Sequence, residues 1–136
     1  MKAKVVWIDN FQFMGVSPSG HGIVLDSPEK TSYGPSPMEL VLIALAGCTG
    51  MDVISILEKM KKKVEKFEVS CEGERAEEHP RVYKKIKVHY YIQGKDIDDA
   101  SVKRAIELSK EKYCSVSIML SKAVEISFTY EIKATQ

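Results

Sequence analysis

The chain has 136 residues, with 20 basic against 19 acidic side chains and a formal net charge of +1. That length suits one domain with a sizeable core, and near neutrality with no basic stripe among the aromatics argues against nucleic acid as a partner. Three widely spaced cysteines, odd in number and without a CxxC pair, exclude a disulfide scaffold and a zinc site of that type.

Taken in order, Lys2–Asp9 carries Val5, Val6, Trp7 and Ile8 and reads as a strand. Phe11–Val16 reads as a second strand, with Asp9-Asn10 as the tight turn between them. Ser17-Pro18-Ser19-Gly20 is a turn, and His21–Asp26 a third strand. Ser27–Pro35, rich in Ser, Pro and Gly, is a loop that delivers the chain to its central helix. Four apolar residues cut off by Asp9 do not make a secretory leader. The apolar run Met38–Cys48 is too short to cross a bilayer and soon meets Asp52. The expectation is a cytoplasmic protein with no membrane partner.

The central helix opens with Ser36 as its cap, Pro37 at the first helical position and Glu39 where a capping box places its carboxylate. From Met38 to Cys48 the only charge is Glu39, so no face is reserved for water. Such a helix must be buried by the rest of the fold or by a second subunit. Its second half, to about Lys61 or Lys62, is amphipathic, with Val53, Ile54, Leu57 and Met60 on one stripe. Lys61-Lys62-Lys63 is a solvated helix end, where cations suit the dipole.

Two alternating strands follow. Lys66–Glu74 sets Phe67, Val69 and Cys71 against Glu68, Ser70 and Glu72, and Val82–Ile92 sets Ile86, Val88, Tyr90 and Ile92 against Lys85, Lys87, His89 and Tyr91. A helix is expected over Asp99–Lys112, a break at Cys114–Ser117 and a short helical turn at Ile118–Lys122. The last strand alternates Val124, Ile126, Phe128, Tyr130 and Ile132 with Glu125, Ser127, Thr129, Glu131 and Lys133. The order predicts an α+β domain with an antiparallel sheet and a long buried central helix, not a wound βαβ fold. A homodimer is the simplest way to cover that helix.

Chemistry points first to thiols, which react as thiolates and need nearby positive potential. Cys114 lies just before an expected helix start, whose free amides supply some. Cys48 is mid-helix, and Asp52 one turn on opposes its ionisation if close. Cys71 alternates with core residues. Glu39 is either the capping carboxylate or a partner for an active-site group. Nine residues at 100° each put it on the helix face opposite Cys48, so any contact with a thiol is with another subunit's. His21, His79 and His89 lie at no metal-ligand spacing from each other or from a cysteine.

Ser36-Pro37-Met38-Glu39-Leu40 running into Ala46-Gly47-Cys48-Thr49-Gly50-Met51-Asp52-Val53 resembles the central helix of the OsmC/Ohr family, nearest its uncharacterised OsmC-like branch. His79-Pro80-Arg81-Val82-Tyr83-Lys84-Lys85-Ile86 resembles the family's strand-entry segment, and Lys112-Tyr113-Cys114-Ser115-Val116 its second-cysteine segment. The resemblance implies one OsmC-like domain over residues 1–136, forming an intertwined homodimer with two active sites at the subunit interface. It also implies a thiol peroxidase that protects against oxidative stress. Cys48 attacks a small apolar organic hydroperoxide, and Cys114 resolves the sulfenic acid as a disulfide. A dithiol reductant, lipoyl-type or of low molecular weight, restores both, and no metal, haem or flavin cofactor is needed.

Two departures stand out. The peroxidase branches place a catalytic carboxylate directly after the proline, where this chain has Met38, with Glu39 one residue later. They also use an N-terminal arginine beside the thiolate, and this chain has none before Arg75, leaving Lys4 or Lys30 as candidate cations. The alternatives are a redox-sensing or apolar-ligand-binding dimer of the same fold, and a thiol hydrolase with a histidine base.

Overall fold

The computed structural model describes residues 1–29 and 32–135. The chain forms two compact units, Met1–Val41 and Leu42–Gln136, and the boundary falls inside one helix.

The first unit is an antiparallel meander of β1 (Lys4–Asp9), β2 (Gln12–Val16) and β3 (Gly22–Leu25). Asp9 pairs with Gln12, so Asn10 and Phe11 make a two-residue hairpin loop. Asn10 takes the positive φ of 45° that the turn needs, a conformation Asn tolerates well. The Trp7 indole N–H locks the turn by donating to Asn10 O at 2.8 Å. Every residue of β1 is exposed, including Val5 and Trp7.

Asp26, buried, organises the loop that follows. Its carboxylate accepts the backbone N–H of Ser27 at 2.7 Å and of Tyr33 at 3.1 Å, and its own N–H donates to Pro35 O at 3.2 Å. Gly34 runs so close to the Val24 carbonyl that a Cβ there would collide with backbone. The loop ends in a reciprocal cap. Ser36 Oγ accepts the Glu39 N–H at 3.2 Å, and Glu39 Oε1 accepts the Ser36 N–H at 2.9 Å. The predicted capping box is therefore formed. Each carboxylate–amide bond favours the charged form, and Glu39 titrates below the usual range because Ser36 donates to it.

Helix α1 (Pro37–Lys59) begins on that cap. Within the chain its fully buried positions are Leu45, Thr49, Val53 and Leu57, a single i, i+4 stripe. The rest of the fold thus covers one stripe of the helix and leaves another to be covered from outside the chain, with Ile43 and Met51 59% and 76% exposed. The helix stops as Lys61 adopts a left-handed φ of 61° and the Lys62 N–H turns back to Leu57 O at 2.9 Å. At 23 residues, with a mean hydropathy of 2.2 over an 18-residue window, α1 is long and apolar enough to cross a membrane by length and composition, where Met38–Cys48 alone is not. Yet Thr49 and Asp52 hydrogen-bond from its middle to side chains of the second unit, which roots it in the protein.

The rest of the second unit is a three-stranded sheet, ordered β4 (Lys63–Arg75), β5 (Tyr83–Lys95), β6 (Glu125–Ala134), with α2 (Asp99–Leu108) and α3 (Ser115–Leu120) between its last two strands. β5 is central and supplies much of the core, with Ile86, Val88, Tyr90 and Ile92 essentially inaccessible. Taking a large aliphatic side chain out of water contributes about 1.5–3 kcal/mol, so this alternation fixes the register of the sheet. Phe67, Tyr90 and Phe128 stack across all three strands at centroid spacings of 6.4 Å.

The sheet corrects one expectation. β4 and β5 are antiparallel, but β6 runs parallel to β5. The two-helix connection between them is long enough to carry the chain back to the starting end, which a hairpin cannot do. The α+β class stands, with two small sheets rather than one antiparallel sheet. The second helix is also divided: α2 ends at Leu108, one wider i→i+5 turn covers Ser109–Tyr113, and α3 starts at Ser115, inside the expected break.

Candidate active site

The two thiols singled out by the sequence meet in the second unit. Cys48 is half-buried on α1, and Cys114 is buried at the cap of α3. Cys114 reaches that position because its N–H closes the wide turn onto Ser109 O at 2.8 Å. Its extended backbone then starts α3, and its sulfur accepts the Ser117 N–H at 3.3 Å, the part a serine or aspartate oxygen plays at other helix starts.

Cys48 faces the same helix start. Its Sγ lies 3.8 Å from Ser115 Oγ, and the Val116 N–H and the Cys114 thiol act on its titration as further donors. Burial pushes the Cys48 thiol up, and so does the Asp52 charge, but the three donors outweigh them and its pKa falls below the usual cysteine value. Cys114 moves the other way. Burial raises it, donation to Cys48 and the Cys48 charge add to that, and the Ser117 donors only partly offset them. The pair is therefore split, with Cys48 the more acidic thiol and Cys114 the less acidic one. Cys71 is also a poor nucleophile, raised to about 11 by burial and by the Cys114 charge.

Behind the thiols runs a buried polar chain absent from the sequence reading. Tyr90 OH is 2.6 Å from Thr49 Oγ1, Thr49 Oγ1 is 2.8 Å from Ser109 Oγ, and Ser109 Oγ donates to Asp52 Oδ2 at 2.9 Å. Thr49, Tyr90 and Ser109 are fully buried. The visible signal was a hydroxyl on an apolar stripe, since Thr49 occupies the repeat set by Leu45, Val53 and Leu57.

Glu39 belongs to the first unit and is occupied by its capping box. Lys4 is exposed on β1, and Lys30 lies outside the described residues. His21 bonds Ser19 and His89 bonds Thr129, and no histidine is among the groups acting on Cys48. Among the described residues, no three His, Cys, Asp or Glu side chains converge as a metal site requires.

The profile of the OsmC-like protein family matches residues 28–129, a span that holds both thiols and the polar chain. The chain belongs to the OsmC family. It is 47% identical to Protein YhfA of Escherichia coli K12 over 134 residues, covering 98% of this chain and 99% of YhfA. A hypothetical protein from Aquifex aeolicus superposes with a TM-score of 0.90 at 28% identity, covering 99% of this chain and 97% of the other. The organic hydroperoxide resistance protein OhrB of Bacillus subtilis shares the OsmC fold at a TM-score of 0.63 and 18% identity, over 96% and 98% of the two chains.

Proposed function

We propose that the protein is a thiol-dependent reductase of organic hydroperoxides, a single OsmC-type domain working as a cytoplasmic homodimer. The observation that carries this reading is that Cys48 and Cys114 share the start of α3, Cys48 3.8 Å from Ser115 and Cys114 at its cap, with the more acidic thiol placed to attack. The Cys48 thiolate attacks the terminal oxygen of ROOH, the O–O bond breaks, and the alkoxide leaves and takes a proton to become ROH. The sulfenic acid on Cys48 is then attacked by the Cys114 sulfur, releasing water and forming the disulfide. A dithiol reductant takes the disulfide bond onto itself and returns both thiols. Relatives of the same fold are named for organic hydroperoxide resistance, which supports the substrate class. The Val116 amide and Ser115 hydroxyl take the place of the missing arginine as donors to the thiolate. Glu39 enters the reading as a carboxylate offered to a partner copy's thiol. Glu39→Gln, which keeps a hydrogen-bond acceptor at the cap, tests it through peroxide turnover.

The deciding experiment counts free thiols on the reduced protein before and after one equivalent of cumene hydroperoxide, and maps any new bond by mass spectrometry. Rapid loss of two thiols with a Cys48–Cys114 link is expected. Thiols left intact would refute peroxidase chemistry and turn attention to binding of an apolar ligand.

A further inference from the structure

The buried chain has a fixed direction, and Ser109 stands at its centre. Each hydroxyl has one proton to give. Ser109 spends its proton on the Asp52 carboxylate, so its bond with Thr49 must be donated by Thr49. Thr49 is then spent, and Tyr90 must donate to Thr49. Three hydroxyls thus point in sequence toward Asp52, and the order holds only while Asp52 offers an acceptor.

Ser109 has a second attachment. Its backbone N–H closes α2 onto Ala105 and Ile106, and its carbonyl receives the Cys114 N–H across the wide turn. One residue therefore ties α1, beside Cys48 and one turn past it, to the segment that carries Cys114. Single turns with i→i+5 bonding recur at functional sites, and a disulfide closes only when the two Cα atoms lie about 4.4–6.8 Å apart. No helix or strand joins the two thiols directly, so their separation depends on such side-chain ties.

We infer that Ser109 and Asp52 are positioning residues, forming a tie that holds the Cys114 turn at cross-linking distance from Cys48. This rests on the proposed pairing of those thiols but not on peroxide being the oxidant. The tie acts on the exchange in which glutathione disulfide gains two electrons and two protons from the thiols, giving two glutathione molecules and the Cys48–Cys114 bond. Without the tie the two sulfurs sample more separations, and their effective concentration drops.

The test measures that equilibrium in glutathione buffers of stepped redox ratio, by acid quench, alkylation and mass spectrometry of the full-length protein. Asp52→Asn keeps an oxygen to accept from Ser109, whereas Asp52→Ala removes it. Both remove the charge, so their ratio reads the tie alone, at a part-buried position. The expected equilibrium constant for Asp52→Ala is about tenfold below that for Asp52→Asn, the worth of one hydrogen bond to such a tie. Ser109→Ala, which keeps the Asp52 charge, should fall below the wild-type protein by a similar factor. Equal constants for the two Asp52 variants would overturn the tie. A wild-type protein that forms no Cys48–Cys114 bond in oxidised glutathione would overturn the pairing and the tie together. A protein that cross-links in glutathione and shows the Asp52→Ala loss, yet ignores cumene hydroperoxide, supports the tie and refutes only the peroxidase reading.

Discussion

Cys48 is acidified without a basic side chain. Burial and the Asp52 charge raise its pKa, and hydrogen bonds from Val116, Cys114 and Ser115 lower it by more. The pH dependence of alkylation by iodoacetamide should therefore give Cys48 a midpoint below an ordinary cysteine, and Cys114 one above it. Asp52→Asn should lower the Cys48 midpoint further by removing a like charge, and Ser115→Ala should raise it. A Cys48 midpoint at or above the ordinary value would contradict this balance. Both thiols, and the opposition of Asp52, were legible in the sequence. The donor amide of Val116 was not, because a backbone N–H has no side-chain signature and its aim depends on where α3 starts. Thr49 and Ser109 are small residues in apolar periods, and the signal they carry is that a hydroxyl on a buried stripe must find a partner or cost about 1–3 kcal/mol.

At the scale of elements, caps and turns were the most readable features because their chemistry is local. Ser36→Ala removes the cap oxygen and leaves the Glu39 N–H of α1 without its acceptor. It should destabilise the protein by about 1 kcal/mol, seen as a lower urea midpoint at unchanged slope. Helix α2 is capped by Asp98, which accepts from the Ser101 N–H at 3.0 Å and pairs with Lys62 at 2.8 Å. The Lys62 bond, then the Ser101 bonds, hold its carboxyl well below the usual carboxylate range. A lowered folded-state pKa means the stabilisation is whole above the unfolded value of about 3.9 and is lost as pH falls toward the folded one. Asp98→Asn should accordingly flatten the acid limb of stability against pH while leaving its shape near neutrality alone. The direction of β6 was not legible, since alternation reads the same in parallel and antiparallel pairs. Only the length of the connection carrying α2 and α3 pointed to a parallel return. The helix start beside Cys114 was legible, whereas Ser115–Ser117 read as a break because serines favour caps and turns over helix interiors.

For the whole molecule, the question is what covers the apolar surface of each unit. In the second unit, Ile43, Gly47, Met51 and Ile54 follow a helical stripe of α1 distinct from the buried one. With Ala46, Gly50, Phe67 and Val69 they line an apolar groove of about 580 Å³. Small residues at 46, 47 and 50 let another backbone come close, and Met51, 76% exposed, is the kind of adaptable side chain that fills such a contact. In the first unit Val5, Trp7 and Phe11 are each at least 60% exposed. A monomer seldom leaves apolar patches of that extent in water, so a second copy of the chain is the expected occupant. Sedimentation equilibrium should give twice the chain mass, and the urea midpoint should rise with protein concentration, because unfolding that releases subunits obeys mass action. Ile43→Lys with Met51→Lys places two ammonium groups on the stripe. It should shift the mass toward one chain and remove the concentration dependence, while the core stripe of Leu45, Val53 and Leu57 stays apolar. A single-chain mass for the unmodified protein at every concentration would sink the dimer. The α1 groove would then face water, and the proposed peroxide site would have to be complete within one chain.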